Sequence, residues 1–193
     1  MAKENKTIYA ILGLLNHEDM SGYDIKKRID DSLKFFWDAG FGQIYPGLKT
    51  LEQNGWVNCA SKASGAGPER IMYSITTQGR SELKHWLSTP VEKEQTKYEI
   101  LLKLFFGSVV STEENIRIIR EFEQRNSGIL KLFEIYKAQL EQVLYQKEDH
   151  IYYYLTVLFG EKVQKAYLEW AEEAVGILKG QIEEGSDHEK GKS

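Results

Sequence analysis

Cysteine occurs once, at Cys59, so the chain can form no internal disulfide and a cysteine-based zinc site is implausible. The expected place for that thiol is a small apolar position beside a strand. Histidine is nearly as sparse: His17, His85, His150 and His188 stand without the spacing of metal ligands. No G-x-S-x-G, P-loop or H-E-x-x-H pattern is present, and Cys59 has no evident base. These absences argue against catalysis; no cofactor and no metal are expected.

Long apolar runs are missing as well. Residues 1–7 are polar, the run at 8–15 is too short for the hydrophobic stretch of a secretory signal with its cleavage site, and nothing approaches the length that spans a bilayer. The expectation is a cytoplasmic protein with no membrane partner. Nor is there an excess of positive charge: 25 Lys and Arg against 29 Asp and Glu give −4, which argues superficially against nucleic acid. The acid is unevenly spread, however. Residues 1–90 carry 11 basic and 10 acidic residues, net +1, whereas residues 91–193 carry 14 and 19, net −5. This is a weak pointer to a phosphate-binding footprint near the N-terminus, since a domain at +1 must concentrate its positive charge on one face to bind phosphates.

What is present is the composition of an ordinary folded chain, 41% hydrophobic and 28% charged, with a length that suits one large domain or two small ones, of which two is the working reading. In residues 7–15, Ile8, Ile11, Leu12 and Leu15 recur at helical spacing. Ser21 is a natural N-cap for a second helix over residues 23–37, with Ile25, Ile29, Leu33 and Phe36 on its inner side. A third, short helix begins after Gly40, with Ile44, Leu48 and Leu51 as its inner stripe, Pro46 in its first turn and Gly55 as its stop. Residues 56–62 and 70–76 read as strands joined by the turn-rich segment 63–69, a hairpin shaped like a wing. Thr76 and Thr77 can then cap a helix to about residue 87, with Leu83, Trp86 and Leu87 facing inward.

From residue 96 the reading is helical. Residues 98–107 are short and apolar, and Ser111-Thr-Glu-Glu114 is a capping-box signature. A proline-free heptad pattern comes next, with Ile119, Asn126, Phe133 and Leu140 at one seam position and Phe122, Ile129, Tyr136 and Val143 at the other. After a polar break at 146–149, a second long stripe runs over residues 151–182 through Leu155, Phe159, Val163, Ala166, Trp170 and Ile177. Residues 183–193 read as a disordered tail. The fold class is thus mainly α with a small β-hairpin wing. The order helix, helix, short helix, hairpin, helix over residues 1–90 is that of a winged helix-turn-helix DNA-binding domain, with another small α+β domain as the alternative, and residues 91–182 are expected to form a helical, coiled-coil-like dimerisation and effector domain.

Several motifs in order sharpen this reading: Tyr9-Ala-Ile-Leu-Gly-Leu-Leu15, Ser21-Gly-Tyr-Asp-Ile25, Phe36-Trp37, Gln43-Ile-Tyr-Pro-Gly-Leu-Lys-Thr-Leu51 with Gly55, and Met72-Tyr-Ser-Ile-Thr-Thr-Gln-Gly79. With Leu102-Lys-Leu-Phe-Phe-Gly107 and Tyr167-Leu-Glu-Trp170, the chain resembles the PadR family of bacterial transcriptional regulators over roughly residues 7–180, in the branch with the longer helical C-terminal domain. That resemblance implies a homodimer that reads a palindromic operator in double-stranded DNA, usually as a repressor, and is released by a small effector.

By chemistry, Gln43 can pair with adenine, Tyr45 can meet phosphate or a thymine methyl, Lys49 can meet guanine or phosphate, and Thr50 shares their face. Lys62 and Arg70, flanking the hairpin tip, suit phosphates. Tyr23 is expected to be partly buried. Phe122, Ile129, Phe133, Tyr136, Phe159, Val163 and Trp170 are the candidate dimer interface. Asn126 either fixes helix register or faces water. Tyr152, Tyr153 and Tyr154, with Tyr136, Phe159, Tyr167 and Trp170, are a candidate wall for a flat aromatic or phenolic effector, although aromatic stripes at helical spacing more often form core or interface. The competing function is a helical dimerisation or adaptor module whose winged domain binds protein in place of DNA.

Overall fold

The computed structural model describes residues 5–62, 70–92 and 96–190, and the side chains of these except at 61, 62, 70 and 183–190. The chain divides into two compact units, Met1–Lys93 and Glu94–Ser193.

The first unit runs α1 (Thr7–Leu15), β1 (Met20–Ser21), α2 (Gly22–Arg28), a π-helical turn (Ile29–Leu33), α3 (Phe41–Gln53), β2 (Val57–Lys62), β3 (Arg70–Ile75) and α4 (Thr77–Leu87). The expected apolar stripes meet in one core: Ile11 and Leu12 of α1, Ile25 and Ile29 around α2, and Ile44, Leu48 and Leu51 of α3 are all essentially without solvent exposure. Fully burying one such side chain is worth about 1.5–3 kcal/mol. Gly47 lets α3 approach α1, because a Cβ there would lie 3.0 Å from Ile11 Cδ1. Val57 and Ile75 of the sheet and Leu83 of α4 close the same core, and Trp86 stacks on Tyr9 at 4.4 Å.

Local chemistry sets the ends of these elements. Ser21 Oγ accepts from the Asp24 N–H, and Asp24 Oδ2 accepts from the Ser21 N–H, the reciprocal pair of a capping box. Thr76 Oγ1 accepts from the Gly79 N–H at 3.0 Å and caps α4. Gly55, at φ +70°, ends α3 in the left-handed region that glycine enters without penalty. Gly79 admits no side chain, since a Cβ there would stand 2.1 Å from the Trp56 carbonyl oxygen.

Several expectations about the elements of this unit are corrected. The second helix does not run to residue 37. It ends in the π turn, and Phe36 lies in the turn beyond Leu33, exposed, although Ile25 and Ile29 are buried. Pro46 is not in the first turn of α3 but is its sixth residue, because the helix begins at Phe41. The carbonyl that loses a partner belongs to Gly42, which is exposed. Leu87, one residue past Trp86 at the end of α4, is exposed rather than inward. Strand β1 was not foreseen. Two residues carry no alternation, and only pairing to β3, with Met20 opposite Tyr73 and Ser21 opposite Met72, makes them a strand and gives the sheet order β1-β3-β2.

The second unit contains α5 (Glu99–Phe105), a 3-10 turn (Gly107–Val109), α6 (Thr112–Val143) and α7 (Glu148–Lys190). Ser111 Oγ accepts from the Glu114 N–H and caps α6 as its sequence signature requires. At 1.5 Å per residue α6 spans about 48 Å. It pairs with α7 of the same chain: Ile119 meets Ala171 and Val175, Phe122 meets Tyr167 and Trp170, and the Phe133 ring covers Gly160, where a Cβ would come within 2.4 Å of it. Asn126 is buried in the seam and donates to the Phe122 carbonyl of its own helix at 2.7 Å, so it does not face water. Glu161 of α7 is also buried, with Lys165 Nζ at 2.5 Å and Lys137 Nζ of α6 at 2.9 Å. Helix α7 continues to Lys190, past the residue 182 at which the tail was expected to begin. Residues 183–190 include no proline, and one glycine costs a helix only about 1 kcal/mol. No helix among the described residues is long and apolar enough to cross a membrane.

Candidate nucleic-acid interface

The outer side of α3 follows from its inner one. With Ile44, Gly47, Leu48 and Leu51 buried, the helical period turns Gln43, Tyr45, Lys49, Thr50 and Gln53 outward, and all five are exposed. Four of the expected contact residues thus share one helix face. Two of them also hold the helix itself. Gln43 Oε1 accepts from the Gly40 N–H at 3.3 Å, closing the start of α3 and leaving its amide NH2 as the donor for a base edge. Thr50 Oγ1 donates to the Pro46 carbonyl at 3.0 Å. Tyr45 stacks on Phe41 with centroids 5.8 Å apart and 23° between planes.

Lys62 and Arg70 face one another across the β2–β3 ladder, which places both at the tip end of the hairpin. Their side chains, and the expected hairpin tip at 63–69, lie outside the described residues.

Two aromatic residues were missed as surface. Tyr23 was expected to be partly buried and is 60% exposed, because it falls out of phase with the buried positions Gly22 and Ile25. Phe41 is also exposed, at the first turn of α3. The signal was available: Phe41 and Tyr45 are four residues apart and off the Ile44–Leu48–Leu51 stripe.

Nearby titratable groups favour their neutral forms. Cys59 is exposed on β2 and not packed beside it, since its Sγ donates to Glu52 Oε1 at 2.7 Å; that bond above all pushes the thiol pKa up. Burial pushes the Tyr73 phenol up as well. Neither adds negative charge to the face of the winged unit. On α2, Lys26 is paired with Asp30, and Arg28 lies 2.8 Å from Glu18.

The residues expected in the helical half separate into two sets. Phe122 and Phe133 are buried inside the α6–α7 pair, and Trp170 packs on Phe122, so these three are engaged within one chain. Ile129 and Val163 are half-buried, whereas Phe159 and Tyr136 are exposed. Tyr152 and Tyr153 are exposed, and Tyr154 donates to Glu141 at 3.2 Å. Tyr167 packs on Phe122 and shares a 3.0 Å hydrogen bond with Tyr98, and burial pushes its pKa up to about 12. A groove of about 440 Å³ lies elsewhere in this unit, lined by Leu102, Lys103, Phe106, Val110, Asn115 and Ile118 among others.

Comparison with known proteins decides what kind of molecule carries this helix. The pattern of the transcriptional regulator PadR-like family matches residues 11–85, and that of the virulence activator alpha C-terminal family matches residues 96–179. Negative transcriptional regulator PadR of Bacillus subtilis (strain 168) is 32% identical over 176 residues, which are 88% of this chain and 96% of that protein. The chain belongs to the PadR-like family of transcriptional regulators. The crystal structure of Bacillus subtilis PadR in complex with operator DNA matches this PadR-like chain with a TM-score of 0.78 at 30% identity, over 89% of this chain and 98% of the other. The same relative in complex with p-coumaric acid matches with a TM-score of 0.71 at 29% identity, over 89% and 97% of the two chains. The first family match runs through α1 to α4, and the second spans α5, α6 and most of α7.

Proposed function

We propose that this PadR-like regulator is a cytoplasmic, homodimeric repressor without catalytic activity that binds a palindromic operator and releases it when a small aromatic acid binds. The observation that carries the reading is the near full-length likeness to a regulator whose structure holds operator DNA, joined to an α3 whose exposed face presents an amide, a phenol, an ammonium and a hydroxyl. In this reading α3 enters the major groove. Gln43, Tyr45, Lys49 and Thr50 meet base edges and phosphates there, while Lys62 and Arg70 carry the wing onto the backbone. The helical unit pairs two copies through apolar surface that α6 and α7 leave uncovered, Phe159 and Tyr136 included. Two recognition helices must then match one turn of duplex, roughly 34 Å, and an effector that favours another spacing lowers affinity. The p-coumaric acid complex of the relative supports an aromatic acid as that effector.

The test begins with selection of a duplex from a randomised pool on the wild-type protein, and then anisotropy titrations against a scrambled duplex at two salt concentrations. Selective binding that weakens steeply with salt is expected, because phosphate contacts release counterions. The Tyr45→Ala, Lys49→Ala double variant should remain folded and lose about tenfold or more in operator affinity. Unchanged affinity in the folded double variant would remove α3 from the interface. Failure to select any duplex would return the winged unit to a protein partner.

A further inference from the structure

We infer that Gly22 is a positioning residue for operator recognition: lacking a side chain, it seats the phenol end of Tyr45 on the start of α2 and so sets the direction in which α3 presents that ring. The inference rests on the reading of α3 as the recognition helix.

Gly22 is the first residue of α2 and is buried. Its backbone does not call for glycine, since Gly55 is the residue with positive φ among the described residues. Space does. A Cβ at residue 22 would lie 2.7 Å from Tyr45 Cε1, 3.1 Å from Cζ and 3.2 Å from the hydroxyl oxygen. The contact is thus made by the far end of the ring, the part that carries the hydroxyl. At Gly13, Gly40 and Gly42 in the same unit a Cβ would meet nothing within 4 Å, whereas at Gly47 it would meet Ile11 of the core and at Gly79 the Trp56 backbone, so among these glycines it is Gly22 that is closed by a residue of the exposed face of α3.

The seat is firmly held. Ser21, beside Gly22, is locked by its capping box with Asp24 and lies opposite Met72 on β3. On its other side, Tyr45 stacks against Phe41. An aromatic side chain that is half exposed yet bracketed between two supports has little rotamer freedom left to lose when it docks. Immobilising a mobile side chain at an interface costs a factor of roughly three to ten in affinity. Gly22 spares the complex that cost. It also links Tyr45 to the wing, because the strand that holds β1 in place is β3.

The Gly22→Ala variant separates this role from a structural one. The added methyl displaces a flexible ring end and not backbone, and alanine is the better helix former, so the variant should fold with an unchanged or higher melting temperature. Operator affinity should fall roughly three- to tenfold, with binding to scrambled duplex little changed. In a Tyr45→Ala background, Gly22→Ala should have no further effect. Without DNA, a nuclear Overhauser contact between the Gly22 α-protons and the Tyr45 ring should be present in the wild type and lost in the variant. Wild-type operator affinity in a folded Gly22→Ala protein, or an equal loss in the Tyr45→Ala background, overturns the inference and leaves the proposed function standing. A wild type that selects no duplex overturns both.

Discussion

In the winged unit Ile11, Leu12, Ile25, Ile29, Ile44, Leu48 and Leu51 close a core with almost no exposed surface, while Phe36, Phe41 and Leu87 are among the large apolar side chains left outside it. In the helical unit many such side chains are outside, with Phe105 82%, Val109 84%, Phe159 68% and Ile177 66% exposed. Ile119, Ala171 and Val175 form its small buried cluster. The difference is one of geometry. Four helices and a sheet surround a core from several directions, whereas two long antiparallel helices cover only the strip along which they touch. The apolar surface left over is of the kind that marks an interaction site. One unit closes a core within itself, and the other leaves much of its apolar surface uncovered.

The largest expected effect breaks the closed core. Ile44→Ala removes a side chain with no exposure from the centre of the core and should cost about 2–5 kcal/mol, read as a lowered urea midpoint, with the size of the particle at native conditions unchanged. An intermediate effect bears on the uncovered surface. Phe159→Glu places a charge on exposed surface, so a lone chain should tolerate it within about 0.5 kcal/mol, while the proposed dimer should weaken by tenfold or more in sedimentation equilibrium. A wild-type dimer constant in that variant would take Phe159 out of the interface.

The smallest effect tests the polar contact inside the helical pair. Lys165 first, and then Lys137, hold the Glu161 carboxyl below its ordinary value. A depressed acid stabilises the folded state fully above its unfolded pKa, about 4.3, and this contribution is lost as pH falls through the lower folded value. The stability difference between wild type and Glu161→Gln should therefore be greatest near neutral pH and shrink on acidification below about pH 4. A difference independent of pH would show that the ion pairs contribute nothing beyond packing.

The features legible in the sequence are those decided within a few residues. Gln43, Tyr45, Lys49 and Thr50 could be placed on one face because a helical stripe at 44, 48 and 51 dictates which positions turn outward. The misreadings share the opposite cause. Phe36 was assigned inward by extending a period through a π turn. The partner of the α6 stripe was left open and not misread; the stripe packs on α7 of its own chain, since periodicity records that a stripe is covered and not by which helix. Cys59 was placed beside the sheet for want of any sign that Glu52, seven residues back, would draw its thiol to the surface.

By itself the sequence determined the caps at Ser21, Thr76 and Ser111, the stop at Gly55, and the inner faces of α1 and α3, because each depends on side-chain chemistry and spacing along one segment. Tertiary structure alone decided that Met20 and Ser21 form a strand, that α6 pairs with α7, and that Tyr45 rests on Gly22. Each of those depends on a partner distant in sequence, and no local propensity names that partner.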